Sequence, residues 1–376
     1  MFNDVLKEAT GLFDRRFLLN AFFPCLIFWG LLGVVIVTGL GQEPLKLLQF
    51  WNQQDAILKV LQTIGFISLV TLSAGFLLSQ LSAILKFFEG YWSFPLARKL
   101  ANLGKQWHQI QVQQLDPEQR EEQISQALQS LEQERQELDQ QRATITAQEG
   151  SASSLTIQQQ LHLLQIQESK LERKNTALRQ QAINRQASEA ETINFLYEFY
   201  PSSDNYDQMM PTQLGNILKA AELYPYDRYQ LDAVLIWSRL YHLFPDRFIL
   251  VITEARTSLD FNLSVATLSS LFSLISGIWL LVVKAPGWLF LLCFWGGALT
   301  AWLAYQSAIG NAVAYAEQIK VAFDLYRFEL VKHLRLKPAK TPDEERQQWS
   351  EICEVFYEGQ VPQTWEYTAP NAEEAS

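Results

Sequence analysis

Little in this sequence is suited to chemistry. Its 376 residues hold three cysteines, Cys25, Cys293 and Cys353, too few and too scattered for a disulfide framework or a metal-ligand spacing. The four histidines, His108, His162, His242 and His333, are equally dispersed. There is no glycine-rich phosphate loop, no H-E-x-x-H and no nucleophile set beside a base. A formal net charge of -10 with no basic patch argues against nucleic-acid binding. These absences predict no cofactor, no metal ligands and no catalytic residue.

Charge is also missing locally, and this is the more informative gap. Residues 17–40 (FLLNAFFPCLIFWGLLGVVIVTGL) contain no Asp, Glu, Lys, Arg or His. Three further stretches behave the same way: roughly 60–85, 261–283 and 287–309. Each is long enough to cross a hydrocarbon core of ~30 Å at about 1.5 Å per residue. The first is too long for a signal-peptide core and has no small-residue cleavage site behind it, so it is expected to be retained. Between the two pairs of runs lies a segment rich in Gln and Glu. The pattern is that of an integral membrane protein with a large water-soluble insertion.

Basic residues flank the runs unevenly. Lys7, Arg15 and Arg16 precede the first; Lys86, Arg98, Lys99 and Lys105 follow the second; Lys320, Arg327, Lys332, Arg335, Lys337 and Lys340 follow the fourth. The links at 41–56 and 284–286 carry only Lys46 and Lys284. By the positive-inside rule both termini and the insertion are cytosolic, in the cell (inner) membrane. Small residues recur every fourth position at Thr71, Gly75, Ser79 and Ala83, at Ser269, Ser273 and Gly277, and at Ala304, Ala308 and Ala312. Such stripes suit close helix packing, within one chain or in a homo-oligomer. The uncharged run interiors speak against a pump or proton relay.

Residues 116–198 read as two helical arms. Ile124, Leu131, Leu138 and Ile145 step by sevens with Leu128 in the other seam position; Ile157, Leu164, Leu171 and Leu178 do so with Leu161 and Ala182. Heptads on both sides of EGSASS (149–154), a turn-like sequence, predict an antiparallel coiled-coil hairpin. It serves either as a solvated spacer or as a docking arm. Arg135, Arg142, Glu168 and Asn175 fall in the seam and are expected to weaken it.

The segment YPYDRYQLDAVLIWSRLYHLFPDRF (224–248) is apolar and aromatic but too charged to span, because Asp232 and Arg239 would each cost ~2.5–3.5 kcal/mol in lipid. Taken as one helix, Arg228, Asp232, Arg239, His242 and Asp246 share a stripe, with Arg247 beside it. The Pro-Asp-Arg repeats predict that Asp227 and Asp246 cap helices and that the arginines pair with them or with lipid headgroups. The alternative is an anion or headgroup site built from Arg228, Arg239, Arg247 and Arg256. Thr212 is expected to cap a short helix before this segment, and Thr341 another near the C-terminus. From about 362 the tail is expected to be disordered.

The stretch LGNILKAAELYPYDRYQLDAVLIWSRLYHLFP resembles part of an uncharacterised family of bacterial multi-span membrane proteins. In those, LGN-x-x-x-A-x-E precedes RY-x-x-D-x-x-x-x-W-x-RL and paired apolar runs. The likeness covers 212–262. It implies a bacterial origin and a shared module containing Gly215, Asn216, Glu222, Arg228, Tyr229, Asp232, Trp237 and Arg239, and it carries no activity.

The reading that results is all-α: an integral membrane four-helix bundle with a cytosolic coiled-coil hairpin and a small helical module. Its expected parts are 1–90, 91–200, 201–260, 261–310 and 311–376. The expected role is a non-enzymatic scaffold or sensor that contacts membrane lipid and recruits a cytosolic protein. An oligomeric channel or transporter, or an enzyme on a lipid or nucleotide, stands as the rival.

Overall fold

The computed structural model describes residues 15–93, 95–115, 117–147, 154–359, 361, 365 and 367. Among them every regular element is helical, and the one β-type pairing is an isolated bridge between Leu336 and Tyr367. Four helices are long and apolar enough to cross a membrane: Leu18–Gly39, Ala56–Ser79, Asp246–Val282 and Gly287–His333. Residues 1–14, most of the 149–154 turn and most of the tail beyond 362 lie outside the described residues.

The first of these four contains α1 (Phe23–Gly39), entered through Arg15–Phe17 and a π-helical turn at Leu18–Phe22. A short α2 (Pro44–Gln53) leads to α3 (Ala56–Ser79), and α4 (Leu81–Glu89) follows after a break at Gln80. The other two are α10 (Asp246–Val282) and α11 (Gly287–His333). Their outer surfaces invert the rule for water-soluble bundles. Leu72, Phe76, Ile278, Val282, Trp288 and Leu292 are all well exposed, so that the apolar side chains line the outside. A bilayer is the solvent that suits such a surface.

α10 and α11 pack along much of their length. The contact is close because Gly297 has no Cβ: one placed there would lie 2.9 Å from the Ser273 Cβ. Ser273 Oγ in turn donates to the Phe294 carbonyl at 2.7 Å. Ser273, Gly277, Ala304, Ala308 and Ala312 are buried, as their spacing predicts. The stripe of α3 behaves otherwise. Gly75 has open space where a Cβ would be and Ser79 and Ala83 are exposed; α3 packs instead through Val70, Ala74 and Leu77. Four-residue spacing identifies a face, and in α3 a neighbouring face makes the contact.

The chain divides into two compact units, one of Met1–Lys105 with Pro201–Ser376 and the other of Gln106–Tyr200. The first unit contains a helical module built on α8 (Gln213–Tyr229), α9 (Ala233–Tyr241), the end of α11 and α12 (Pro342–Glu358). Its core joins Leu231, Ile236, Leu240 and Phe244 to Phe323, Trp349 and Ile352, all nearly or fully buried. Each contributes about 1.5–3 kcal/mol by leaving water. Trp365 packs on this core and Tyr367 pairs with Leu336. Thr212 and Thr341 cap α8 and α12 as expected, accepting from Gly215 N and Glu344 N.

In the second unit, the end of α5 (Pro95–Leu115) precedes α6 (Pro117–Ala147) and α7 (Ser154–Phe199). α6 and α7 pack together with Leu131, Leu138, Leu164 and Leu171 buried between them and Ile145 and Leu178 alongside. Ile124 is half-buried, and the side chain of Ile157 lies outside the described set. Two of the seam polar residues hold the helices together. Arg142 Nη1 reaches Glu168 Oε1 across the pair at 3.3 Å. Asn175 accepts from Arg179 on its own helix.

Candidate functional site

The stripe expected between Arg228 and Asp246 does not exist as one helix face. The chain leaves helix at Gln230, whose φ is 59°, restarts with α9, and ends it at Tyr241 before α10 begins. One stripe requires a continuous 3.6-residue register, and the chain breaks that register twice. Asp232, not Asp227 or Asp246, does the capping: its Oδ1 accepts from Leu235 N at 3.0 Å. Asp227 lies within α8 and binds the preceding loop, accepting from Asn205 Nδ2 at 2.6 Å and Ser202 Oγ at 2.7 Å. Asp246 opens α10 without a side-chain cap.

The six stripe residues accordingly separate. Arg228, Asp232 and Arg239 serve the contact with α12. Arg346 Nε donates to the Arg228 carbonyl, Tyr357 OH donates to Asp232 Oδ2 at 2.7 Å, and the Arg239 guanidinium stands 4.0 Å from the Phe356 ring centroid. The backbone N–H of Asp232 also points at Cys353 Sγ, and burial raises that thiol above its ordinary pKa. His242, Asp246 and Arg247 are exposed. Of the four arginines weighed as a headgroup site, Arg228 and Arg239 thus meet α12, Arg247 is exposed, and Arg256 pairs with Asp260.

The residues of the LGN…RY…W motif have packing reasons. Asn216, fully buried, accepts from Met210 N at 2.7 Å and donates to Met210 O at 3.1 Å, closing the loop before α8. A Cβ on Gly215 would lie 2.2 Å from the Glu89 carbonyl oxygen, so only glycine lets α8 cross α4 there. Glu222 pairs with Lys219 at 2.8 Å. Trp237 packs against Phe244 and Phe323.

Tyr229 belongs to a network that spacing could not foretell. Tyr224 and Tyr229 both donate to Asp324 on α11, at 2.9 and 2.7 Å. Arg327 lies over the Tyr229 ring at 4.0 Å and pairs with Glu345 of α12 at 2.7 Å. Burial, then the bond to Asp324, pushes the Tyr229 phenol above its usual pKa and keeps it a donor at neutral pH. Every member is satisfied by another, as a structural network requires.

A different cluster encloses space. A cavity of 560 Å³ is lined by Arg16 and Asn20, by Leu78 and Leu81, by Ile252 to Asp260 on one face of α10, and by Tyr315. Trp237 and Tyr241 of α9 close it from the module. It thus stands at the start of the first and third apolar stretches and at the end of the second and fourth. Four consecutive crossings would bring those ends to one face. Arg256 Nε meets Asp260 Oδ1 at 3.0 Å, one helical turn away, and its guanidinium lies 5.5 Å from the Tyr315 ring. Arg16 is within electrostatic reach of Asp260. Arg256 also acts on Glu89, whose carboxyl is nonetheless raised above its usual range by burial.

Asn20 is the unusual member. It sits in the π-helical turn, a distortion often found at functional positions, and is 4% exposed. Its Nδ2 donates to the Thr257 carbonyl at 3.2 Å, which fixes the amide orientation. Its Oδ1 is buried with no partner among the described residues. Left dry, such an acceptor costs about 1–3 kcal/mol. Nothing in the sequence singles out Asn20, Asp260 and Tyr315, because they stand at or beyond the edges of the apolar runs and far from one another along the chain. No group of His, Cys, Asp or Glu among the described residues is arranged to hold a metal.

No family model, curated protein or solved structure matches this chain.

Proposed function

We propose that this membrane protein is a non-enzymatic scaffold or sensor of the cell (inner) membrane, crossing it four times with both termini cytosolic. In this reading α6 and α7 form a cytosolic antiparallel coiled-coil hairpin that, with the module of α8, α9 and α12, recruits a cytosolic protein. The observation that carries it is the pair α6 and α7. Helices of 31 and 46 residues are joined by a narrow leucine seam, and most of their other described residues are polar, with Leu163, Ile166, Ile193 and Tyr197 of α7 exposed beside them. At about 1.5 Å per residue, 31 residues reach ~46 Å. An arm that long with one narrow buried seam has surface to spare for a partner. The cavity at alternating ends of the four apolar stretches supports the four-crossing topology, and the basic flanks support the cytosolic side.

The test is site-specific photo-crosslinking from the exposed Glu132 position in the full-length protein in cells. One protein captured in constant ratio, and lost both when 116–198 is replaced by a short linker and in Leu171→Asp, is the expected result. Capture of the same proteins with and without the arm overturns the reading.

A further inference from the structure

The cavity closed by Trp237 and Tyr241 has features beyond those of a packing defect. Its 560 Å³ falls within the range of ~300–1,000 Å³ usual for small-molecule sites. Its wall is divided. Phe17, Leu78, Leu81 and Ile252 present apolar surface, while Asn20, Arg256, Asp260 and Tyr315 present polar groups. Its depth is defined by the helices themselves, because each of the four contributes at the boundary of its apolar stretch. In a bilayer that is the level of the phosphate and headgroup. Trp237 and Tyr241 are the residue types that favour this level.

The polar groups also specify a ligand. The buried Asn20 Oδ1 accepts nothing from the described residues, and its orientation is fixed by the bond from Nδ2 to Thr257 O. It therefore calls for an N–H or O–H donor. Arg256 and Asp260, side by side, offer one charge of each sign, and Arg16 adds a second positive charge. A ligand that meets all of these carries a phosphate for the guanidinium side and a hydrogen-bonding cation for the Asp260 and Asn20 side. Its apolar part must lie along Leu78 and Leu81.

We propose that the cavity is a phospholipid headgroup site selective for ethanolamine lipids, with the phosphate at Arg16 and Arg256 and the ammonium between Asp260 and Asn20 Oδ1. Choline has the same charges but no N–H, and cannot satisfy Asn20. This inference rests on the four helices standing in a bilayer and is independent of any partner of the arm.

The experiment is native mass spectrometry of the full-length protein, delipidated in detergent and offered equimolar mixtures of phosphatidylethanolamine, its N,N-dimethyl derivative and phosphatidylcholine of identical chains. Retention is expected to fall in that order, with phosphatidylethanolamine favoured over phosphatidylcholine by about fivefold, the factor one hydrogen bond carries. Asn20→Ala is expected to erase the preference. Asn311→Ala, which removes an amide bonded to the Ser258 carbonyl away from the cavity, is expected to keep it. Equal retention of the three lipids by the wild-type protein overturns the proposal without recourse to any variant. So does an unchanged preference in Asn20→Ala, or the retention of no lipid, which would mean that water alone fills the cavity. A further arm with phosphatidylglycerol separates charge from the ammonium: stronger retention of it than of phosphatidylethanolamine overturns the assignment.

Discussion

Arg327 Nε lies 2.7 Å from Glu345 Oε1, with side-chain exposures of 12% and 14%, and this pair ties the long α11 to the C-terminal helix α12. Removing one partner leaves the other charge buried. Arg327→Met or Glu345→Gln is expected to cost ~3 kcal/mol, and the double variant less than the sum of the two. Denaturant unfolding followed by the fluorescence of Trp349, buried in the same core, measures it. Single variants that each cost under ~0.5 kcal/mol would show the pair to be solvated.

Asn216 and Gly215 make separable predictions. Asn216→Ala strands both the N–H and the carbonyl of Met210 and is expected to cost about 2 kcal/mol. Asn216→Asp keeps the acceptor but buries a carboxylate against the Met210 carbonyl, so its cost is expected to be larger. Gly215→Ala drives a methyl into the Glu89 carbonyl and is expected to cost about 1–3 kcal/mol through displacement of α4 from α8. Thermal melts of the purified protein rank the three; an unchanged melt for Gly215→Ala would refute the close crossing.

Much of this was legible in the sequence, and the divisions between legible and hidden are physical. Uncharged runs marked all four apolar helices, because a lipid-facing helix cannot hide its composition. The heptads marked Leu131, Leu138, Leu164 and Leu171 for the same reason of periodicity. What failed was any inference that carried one register across a break. Gln230 in the left-handed region, not a proline or glycine, ends α8, while Pro225 sits inside it. The polar partners were hidden because they lie far apart in sequence: Tyr229 with Asp324, Asp232 with Tyr357, Asn20 with Thr257. No local pattern encodes such pairs. The cavity was hidden too, since its lining comes from five helices and the turn before α1.

His108 predicts a pH dependence in the second unit. Its Nδ1 is 3.1 Å from Tyr200 OH, and Tyr200 donates its own proton to Gln111 Oε1 at 3.2 Å. His108 Nδ1–H is therefore the donor. Burial lowers the imidazole pKa below its ordinary 6.5, so the folded state holds it neutral. Its contribution is complete above 6.5 and is lost as pH falls below that value, where the unfolded state takes up the proton. Corrected for its intrinsic slowing at lower pH, hydrogen exchange at residues 106–115 and 195–200 is expected to accelerate between pH 7.5 and 5.5, and not to do so in His108→Gln. The same acceleration in both proteins would assign the effect to other groups.

Leu171, buried in the α6–α7 seam, gives a prediction about the arm alone. Leu171→Ala is expected to cost about 2–5 kcal/mol locally, seen as faster proteolysis within 117–199 with the melt of the helical module unchanged. Proteolysis at the wild-type rate would mean that the seam does not hold the two helices together.

The most direct test of the central claim, that four crossings hold the arm and the module on one face of the membrane, is single-cysteine labelling in sealed, right-side-out vesicles. Cys25, Cys293 and Cys353 are replaced, and one cysteine is placed at a time at the exposed Gln42, Lys284, Glu132 or His242. A membrane-impermeant maleimide is expected to label Gln42→Cys and Lys284→Cys directly, and Glu132→Cys and His242→Cys only after permeabilisation. Labelling of Glu132→Cys and His242→Cys from opposite sides, or of Gln42→Cys and Glu132→Cys from the same side, would contradict it.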